Sequence, residues 1–469
     1  MNKKSIFIIF AMLAIVSMLL SACGSAPATP APTAAPVQPT TPPQAPPTQP
    51  PPTTAPVQPT TPPTAAPAPT QPPAEKVVLE IWHNWGPDDA KGAPLQSIFK
   101  DFMAANPDIT IKDSVYVDAD IPLKVETAST ANQEPDLVFV QRVGDPLTWT
   151  DSGITLPVND LITQWGFDGK FKEVALSNFT QADGKIQAFP LEGYTWPIWY
   201  NTEVFKKANL DLPKSTDELI ADAKALRKAG KDGPVIASGA DGMGSYLFTL
   251  IMQSAMTDQE AEQTIGKGDW STPAAKKAVD LFVQLRDAGV FVDGVEGVDY
   301  ASGNTRYFNG DVAMSHFGAW SFGDPAAANI LPNIQLGGFP LPADSPHKLP
   351  VYYSAYSAKG VWITPNGAAK MDAVKKFIQF LYQPEMIARF VEQAGMTPPL
   401  KDVPVDQSKL NPLFVQSLDL NAEVAETPDL YMPAKVQADF GRVTQEAFAP
   451  GTTADKIIAD MTALYEAAK

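Results

Sequence analysis

The chain is 469 residues long, carries a net charge of −17, and contains 44% hydrophobic and 19% charged residues. Such an acidic surface repels phosphate backbones and anionic lipid headgroups, and no basic run interrupts it, which argues against nucleic acid as a partner. A single cysteine, Cys23, excludes an intrachain disulfide, and His83, His316 and His347 lie at no spacing typical of a zinc site. We therefore expect no metal site and no cofactor, while calcium held by scattered carboxylates stays open.

The N-terminal segment has the order of an export signal. Residues 1–4 are basic, residues 6–20 form an apolar run too short to span a bilayer comfortably, and small residues precede Cys23. The stretch Leu20-Ser21-Ala22-Cys23 resembles the bacterial lipobox, in which the cysteine is lipidated and becomes the new N-terminus. That resemblance implies a signal peptide over 1–22 and a membrane contact made only by acyl chains on Cys23. The alternative is a soluble export signal in which this cysteine is incidental.

Residues 23–75 have the composition of a tether. Of the 47 prolines, 20 lie between Pro27 and Pro73, and residues 25–74 include no charged side chain. This composition cannot bury a core and favours polyproline II, which at ~3.1 Å per residue reaches on the order of 150 Å. We interpret the segment as a spacer that lifts the folded part off the membrane. A proline-rich ligand for another domain, and glycosylation of the threonines, stay open.

From residue 76 onward, strand and helix patterns alternate. Apolar runs predict strands at 77–82, 109–115 and 136–140, and apolar residues from Leu95 to Met103 at helical spacing predict a helix between the first two. Further helix boundaries follow from start and stop residues. They are a capping box of Ser215 and Glu218 with a stop at Gly230, a start at Thr272-Pro273 with a stop at Gly289, apolar positions from Ala373 to Leu381, and a start at Pro384 with a stop at Gly395.

This alternation predicts an α/β fold with mainly parallel sheets. The nearly 400 residues after the tether exceed the usual size of a single core, so we expect two lobes.

Several segments, taken in order, resemble the extracellular solute-binding proteins of bacterial ABC importers, in the sugar-binding family that includes maltose-binding protein. They are LEIWHNWG, EPDLVFVQ, GKIQAFPLEGYTWPIWYN, FNGDVAMSHFGAW and ITPNGAAKMDAVKKFIQFLYQPEMIARFVEQAGMTPP. The resemblance implies a two-lobed periplasmic-binding-protein-like fold with hinge crossovers and an interlobe cleft. It places lobe 1 at 76–192 and 341–395, lobe 2 at 193–340 and 396–469, and candidate crossovers at AFPLEGYT and GGFPLPAD.

Candidate solute contacts follow from sugar chemistry. Sugars present hydroxyls in the ring plane and C–H groups on the ring faces, so their sites need flat aromatic side chains and groups that donate and accept hydrogen bonds. Open α/β sheets bind ligands beyond the carboxyl ends of their strands. Residues in those positions are His83, Asn84, Trp85, Gln141 and Arg142.

The family resemblance implies further contacts. Trp320 matches the family's sugar-stacking tryptophan, Tyr246 a stacking tyrosine, and Phe440 a position where the family has tryptophan. Tyr194 falls where maltose-binding protein has a carboxylate, which Glu192 could replace. Trp196 and Tyr353 complete the candidates, with core packing as the alternative for every aromatic residue named here. We interpret Trp82, Trp199 and Trp362 as core residues.

These features predict a monomeric, secreted, lipid-anchored binding protein on the outer face of the cytoplasmic membrane. It would close around a small solute, a sugar in the first place, and deliver it to the transmembrane subunits of an ABC permease. We expect no enzymatic activity. The alternatives are a binding protein for a polyamine, peptide or metal chelate, a secreted glycoside hydrolase, and an adhesion or scaffold module.

Overall fold

The computed structural model describes residues 76–87, 89–231, 233–236, 238–240 and 242–469. The predicted signal peptide, Cys23 and the predicted tether lie outside the described residues. Within these ranges, every helix is too short or too polar to traverse a bilayer.

The strands form two sheets. The first has the order β10-β9-β3-β1-β2 with β4 paired to β9, and the second has the order β6-β7-β5-β8. The strands are β1 (Val77–His83), β2 (Ile109–Val115), β3 (Leu137–Val140), β4 (Phe189–Trp196), β5 (Ile198–Asn201), β6 (Val235–Ile236), β7 (Met314–His316), β8 (Ile334–Gly337), β9 (Val351–Ile363) and β10 (Glu423–Ala425).

Both sheets are mixed, so the prediction of mainly parallel sheets is wrong. β1 is parallel to β2 and β3, β9 to β10, and β6 to β7. β9 is antiparallel to β3 and β4, and β5 is antiparallel to β7 and β8. Helical crossovers make neighbouring strands parallel. The β4–β5 segment enters the second sheet directly from the first, without such a helix.

The chain passes between the two sheets along β4 and β9. β4 leads through Pro197 straight into β5, and β9 pairs with β3, β4 and β10. Proline has no N–H to donate, so the hydrogen-bond ladders of the two sheets are interrupted there. The candidate crossover AFPLEGYT coincides with β4, whereas the strand paired with it is Val351–Ile363, which lies after GGFPLPAD in the chain.

Helices cover the sheets. They are α1 (Gly92–Ala105), α2 (Ile121–Thr130), α3 (Trp149–Ser152), α4 (Asn159–Gln164), α5 (Glu173–Ser177), α6 (Thr202–Lys207), α7 (Thr216–Lys228), α8 (Gly244–Gln253), α9 (Asp258–Ala261), α10 (Pro273–Asp287), α11 (Tyr300–Phe308), α12 (Pro325–Ile330), α13 (Pro365–Ala368), α14 (Met371–Leu381), α15 (Pro384–Ala394), α16 (Pro412–Ser417), α17 (Ala434–Phe448) and α18 (Ala454–Ala467).

The predicted capping box at α7 is only half formed. The Ser215 hydroxyl accepts a hydrogen bond from the Glu218 N–H at 3.2 Å, as expected of an N-cap. The Glu218 carboxylate, however, accepts from the N–H of Lys214 at 2.7 Å instead of from Ser215. The predicted stop after α15 is confirmed, since Gly395 has a φ of +63°.

The three tryptophans interpreted as core residues are confirmed as such. Trp199 and Trp362 are 0% exposed and Trp82 is 9% exposed. The Trp199 indole N–H donates to the Phe317 carbonyl at 2.8 Å, and that of Trp362 donates to Val140 at 3.0 Å. Their polar atoms are therefore satisfied inside the protein.

Candidate functional site

Aromatic side chains gather where β4 gives way to β5. We call this set the aromatic cluster, and its members are Tyr194, Trp196, Tyr246, His316, Trp320 and Tyr353. The Trp196 ring is central: its centroid lies 4.4 Å from that of Tyr246, 4.9 Å from Trp320 and 4.8 Å from the stacked His316 ring. Tyr194 and Trp196 point to the same face of β4 because they are two residues apart. The cluster thus joins β4 and β9 of the first sheet to β7 and α8.

Trp320 is the half-buried tryptophan of the cluster. Its indole N–H donates to the hydroxyl of Tyr300 at 2.6 Å, and its ring centroid lies 5.7 Å from Tyr194. The ring lies directly over Gly318, where an added Cβ would stand 2.2 Å from ring carbons. The glycine of the Gly-x-Trp motif is therefore required for the position of this indole.

The hydroxyls and ring nitrogens of the cluster are neutral donors and acceptors. Burial raises the pKa of the Tyr246 and Tyr353 phenols well above their usual value, and burial lowers the pKa of His316 to about 3. The Tyr353 hydroxyl lies 2.8 Å from that of Thr249. Trp196 Nε1 and His316 Nε2 are buried and have no hydrogen-bond partner among the described residues.

A charged strip runs along β4 and β9. It consists of Lys91, Asp118, Glu192 and Lys359, with Nζ–carboxylate distances of 2.8 Å for Lys91–Glu192 and 2.7 Å for Lys359–Asp118. Glu192 faces Lys359 in the strand register, and both lysines are buried. Burial by itself would lower the pKa of Lys91, but the Glu192 carboxylate raises it. Lys91 is therefore held as a cation beside this carboxylate.

Other predicted contacts lie around this strip. Gln141 donates to Asp118 at 3.2 Å, and Arg142 donates from Nε to Gln187 at 2.5 Å. Burial lowers the pKa of Arg142. Asn84 is half-buried, and its Oδ1 has no hydrogen-bond partner in the described part of the chain. The residues predicted after the third strand thus bond to neighbours in the first sheet's polar network.

The structure does not bring every predicted residue to the aromatic cluster. Trp85 is 1% exposed and packs against Phe139 and Phe390 at centroid distances of 6.0 and 5.5 Å. His83 is fully buried with Nε2 3.2 Å from Asp113, and burial lowers its pKa. His83 is the last residue of β1 and Trp85 lies two residues after it, and both side chains lie in the core under α1 and α15.

Phe440 is likewise buried, at 3% exposure, with Phe248 as its ring neighbour at 6.5 Å. In this conformation its side chain, like that of Trp85, is part of a core.

Sequence reasoning missed several residues at the site. The spacing of His316 from the other histidines indicates no site, and Lys91 lies in a polar loop with no pattern of its own. Lys359 did carry a signal, because a lysine interrupts an otherwise apolar strand pattern in SAKGVWI. Such a charge is buried only when it is paired.

A side chain of α17 contacts the loop after β3. The backbone N–H of Gly144 donates to Gln437 Oε1 at 2.7 Å. Gln437 Nε2 donates in turn to the carbonyls of Asp429 at 3.2 Å and Met432 at 3.0 Å. Gly144 adopts φ +62° and ψ −132°, a conformation that glycine alone adopts readily. Gln437 therefore ties the loop after β3 to α17 and to the turn that precedes this helix.

Two surface cavities, of about 550 and 670 Å³, lie away from the cluster. Their basic side chains are already engaged: Lys277 pairs with Asp344 at 2.9 Å, and Arg227 pairs with Asp293 at 2.9 Å. No residue of the aromatic cluster lines either cavity. The cluster is therefore the better candidate for a solute site.

Residues 86–388 match the sequence profile of a family described as bacterial extracellular solute-binding protein. An uncharacterized ABC transporter extracellular-binding protein of Pyrococcus horikoshii is 26% identical over 342 residues, covering 70% of this chain and 73% of that protein. The multiple sugar-binding protein of Streptococcus mutans is 22% identical over 375 residues, covering 73% of this chain and 80% of that protein.

The crystal structure of a probable secreted solute-binding lipoprotein from Streptomyces coelicolor is similar with a TM-score of 0.73 and 29% identity, covering 84% of this chain and 100% of that one. This likeness confirms the predicted periplasmic-binding-protein-like α/β fold. The profile match extends from the loop after β1 into α15, well over half of the chain. The chain therefore belongs to the bacterial extracellular solute-binding protein family.

Proposed function

We propose that this protein binds a carbohydrate, a mono- or oligosaccharide, between its two lobes and delivers it to an ABC permease. The observation that carries the proposal is the aromatic cluster at the crossing between the sheets, where Trp196 and Trp320 meet. The Trp196 and His316 ring nitrogens buried there have no hydrogen-bond partner among the described residues. Indole and phenol faces stack on sugar C–H faces, and neutral polar atoms pair with hydroxyls. A family member named as a multiple sugar-binding protein adds support.

The location and the domain boundaries belong to the same proposal. Lobe 1 comprises 76–192 and 341–395, and lobe 2 comprises 193–340 and 396–469. The protein acts as a monomer on the outer face of the cytoplasmic membrane, held by acyl chains on Cys23. Residues 23–75 set its reach from that membrane.

Binding is coupled to closure of the lobes about β4 and β9. A solute that touches both lobes binds the closed form better and shifts the population towards it. Moving from mostly open to mostly closed requires ~5 kcal/mol of differential affinity. Stacking by the aromatic cluster, together with polar contacts from the charged strip, supplies this difference.

A secreted glycoside hydrolase is less well supported. It would need two carboxyl groups flanking the scissile bond, ~5–9 Å apart, with one of them acting as an acid. Near the crossing, Glu192 and Asp118 are each ion-paired with a buried lysine. This arrangement is typical of charge pairing and not of an acid facing a base across a substrate.

A thermal-shift screen tests the proposed function. The mature chain is heated with maltotriose, xylotriose, chitotriose or raffinose, and in parallel with spermidine or trialanine. A solute at 100-fold its Kd adds ~2.7 kcal/mol of stability, so at least one trisaccharide should raise Tm clearly. Stabilisation by spermidine or trialanine alone would contradict a carbohydrate site.

We expect Gln437→Leu to favour the open form. It removes the acceptor for the Gly144 N–H, and a lost hydrogen bond of about 1 kcal/mol lowers solute affinity about fivefold. Small-angle scattering at a sub-saturating solute concentration should show a larger radius of gyration than that of the parent protein, because less of the variant is closed. Gln445→Leu is the matched control, because Gln445 lies on the same helix but donates to Glu296 at 2.8 Å. Equal radii for the two variants would refute this role of Gln437.

A further inference from the structure

A buried carboxylate, that of Asp429, lies beside the aromatic cluster. Asp429 belongs to the short turn Pro428–Leu430 between β10 and α17 and is 7% exposed. The hydroxyl of Tyr246 donates a hydrogen bond to this carboxylate, and the Tyr246 ring lies 4.4 Å from that of Trp196. The Asp429 carbonyl accepts from Gln437, the residue that reaches Gly144 of the first sheet's loop. Asp429 thus lies between the aromatic cluster and Gln437, whose side chain accepts the hydrogen bond from the Gly144 N–H.

One oxygen of this carboxylate is unused. Asp429 Oδ1 is buried and has no hydrogen-bond partner among the described residues, and the same holds for Tyr431 Oη, Trp196 Nε1 and His316 Nε2. An unsatisfied buried carboxylate oxygen is costly to a fold, more so when it is charged. A hydroxyl or N–H of a bound molecule would satisfy it.

The titratable groups that face this carboxyl are phenols, which are uncharged near neutral pH and therefore do not neutralise it. They are the phenols of Tyr246 on α8, Tyr353 on β9 and Tyr431 after the turn, and burial raises the pKa of each. Burial also raises the pKa of Asp429, to about 6, so the carboxyl is mostly ionised at neutral pH and mostly protonated at about pH 5. His316 stays neutral across that interval, because its pKa is lowered to about 3.

We propose that Asp429 is a specificity-determining residue of the solute site. Its free oxygen accepts a hydrogen bond from a hydroxyl or N–H of the solute, and its charge excludes solutes that carry a phosphate or carboxylate. This inference rests on the proposed function, because it takes the aromatic cluster as the binding site. It narrows the solute class to neutral or amino-bearing sugars.

The test compares the parent protein with Asp429→Asn by isothermal titration. The neutral probe is whichever of maltotriose, xylotriose, chitotriose and raffinose binds the parent most tightly, and trigalacturonic acid is the anionic probe.

Asp429→Asn keeps the shape of the side chain and removes its charge, so affinity for the neutral probe should fall about tenfold at about pH 7.5. Parent affinity should also fall, by up to about tenfold, between about pH 7.5 and pH 5, whereas the variant should show no such dependence. Trigalacturonic acid should bind the parent at least about tenfold more weakly than the neutral probe.

Asp222→Asn is the matched control. Asp222 on α7 also has a buried oxygen without a hydrogen-bond partner in the part of the chain that the structure describes, and burial together with Glu218 and Asp211 raises its pKa to about 6. Its replacement should change neither the affinity nor the pH profile. Tyr246→Phe is the second variant, which should keep a pH dependence because it keeps the Asp429 carboxylate, with the midpoint moved to higher pH because it loses the donor that lowers the pKa of that group.

Each result decides the assignment. Unchanged affinity in Asp429→Asn, a pH dependence that survives in it, or equal binding of trigalacturonic acid overturns the role of Asp429. If Asp429→Asn does not fold, a flat pH profile of the parent and of Tyr246→Phe overturns it. If no trisaccharide binds the parent, the carbohydrate function fails, and spermidine becomes the probe. Loss of spermidine binding in Asp429→Asn then supports the role of Asp429 independently of carbohydrate binding. Equal spermidine affinity of the variant and the parent, or no spermidine binding by the parent, overturns that role.

Discussion

Replacing Trp320 by alanine is expected to weaken trisaccharide binding about 100-fold, the cost of removing a central aromatic anchor worth about 3 kcal/mol. Trp320 is half-buried, contacts Tyr194 and Trp196, and is held in place by Tyr300 and by the space over Gly318. Isothermal titration measures the effect, and the melting temperature should change little because part of the indole already faces solvent.

Two variants show whether the ring itself is responsible. Trp320→Phe keeps a flat face but loses the indole N–H that donates to Tyr300, so we expect a loss of no more than about tenfold. Trp85→Phe alters another tryptophan predicted as a contact, one that packs on Phe139 and Phe390 in a core. It should lower stability and leave affinity nearly unchanged. Parent-like affinity in Trp320→Ala would mean that the solute binds elsewhere.

Replacing Lys91 by methionine is expected to destabilise the fold by about 3–5 kcal/mol, because it leaves the Glu192 carboxylate buried without its partner. The two side chains are 9% and 8% exposed, so water does not replace the lost ammonium. Urea unfolding, followed by far-UV circular dichroism, should show a lower midpoint. The change should be seen without any solute present.

The double variant Lys91→Met/Glu192→Leu should recover most of that loss, since two apolar side chains can take the place of a buried ion pair. Lys207→Met is the control for an exposed pair: Lys207 and Glu203 are 74% and 46% exposed, and we expect less than about 0.5 kcal/mol. If Lys91→Met unfolds at the same urea concentration as Lys207→Met, the Lys91–Glu192 pair does not stabilise the first sheet.

Much of the fold could be predicted because its signals are local. β2 was predicted at its observed bounds, and the helix that ends before Asn106 and the one that stops at Gly395 depend on residues adjacent in the chain. The order of several short motifs indicated the family, which the profile match over 86–388 confirms. Strand direction was not predictable in the same way. It depends on where β5 and β9 enter their sheets, and apolar alternation carries no sign of direction.

The site was predicted in part for the same reason. Tyr194, Trp196, Tyr246 and Trp320 were all candidates and do meet, because aromatic residues at the end of a strand or in a short motif are visible in a sequence. Whether an aromatic side chain faces a core or a cleft depends on partners distant in the chain. Trp85 illustrates this, since Phe390, which covers it, lies about 300 residues later.

In the proposed closure of the lobes, the break in the ladder at Pro197 is the pivot between β4 and β5. The central ring of the aromatic cluster, Trp196, is the residue immediately before it. In that closure, a solute that displaces this indole would act on the pivot directly, because Trp196 and Pro197 are adjacent in the chain. Solute binding and rotation of the lobes would then be coupled through a single peptide unit, the one that joins Trp196 to Pro197.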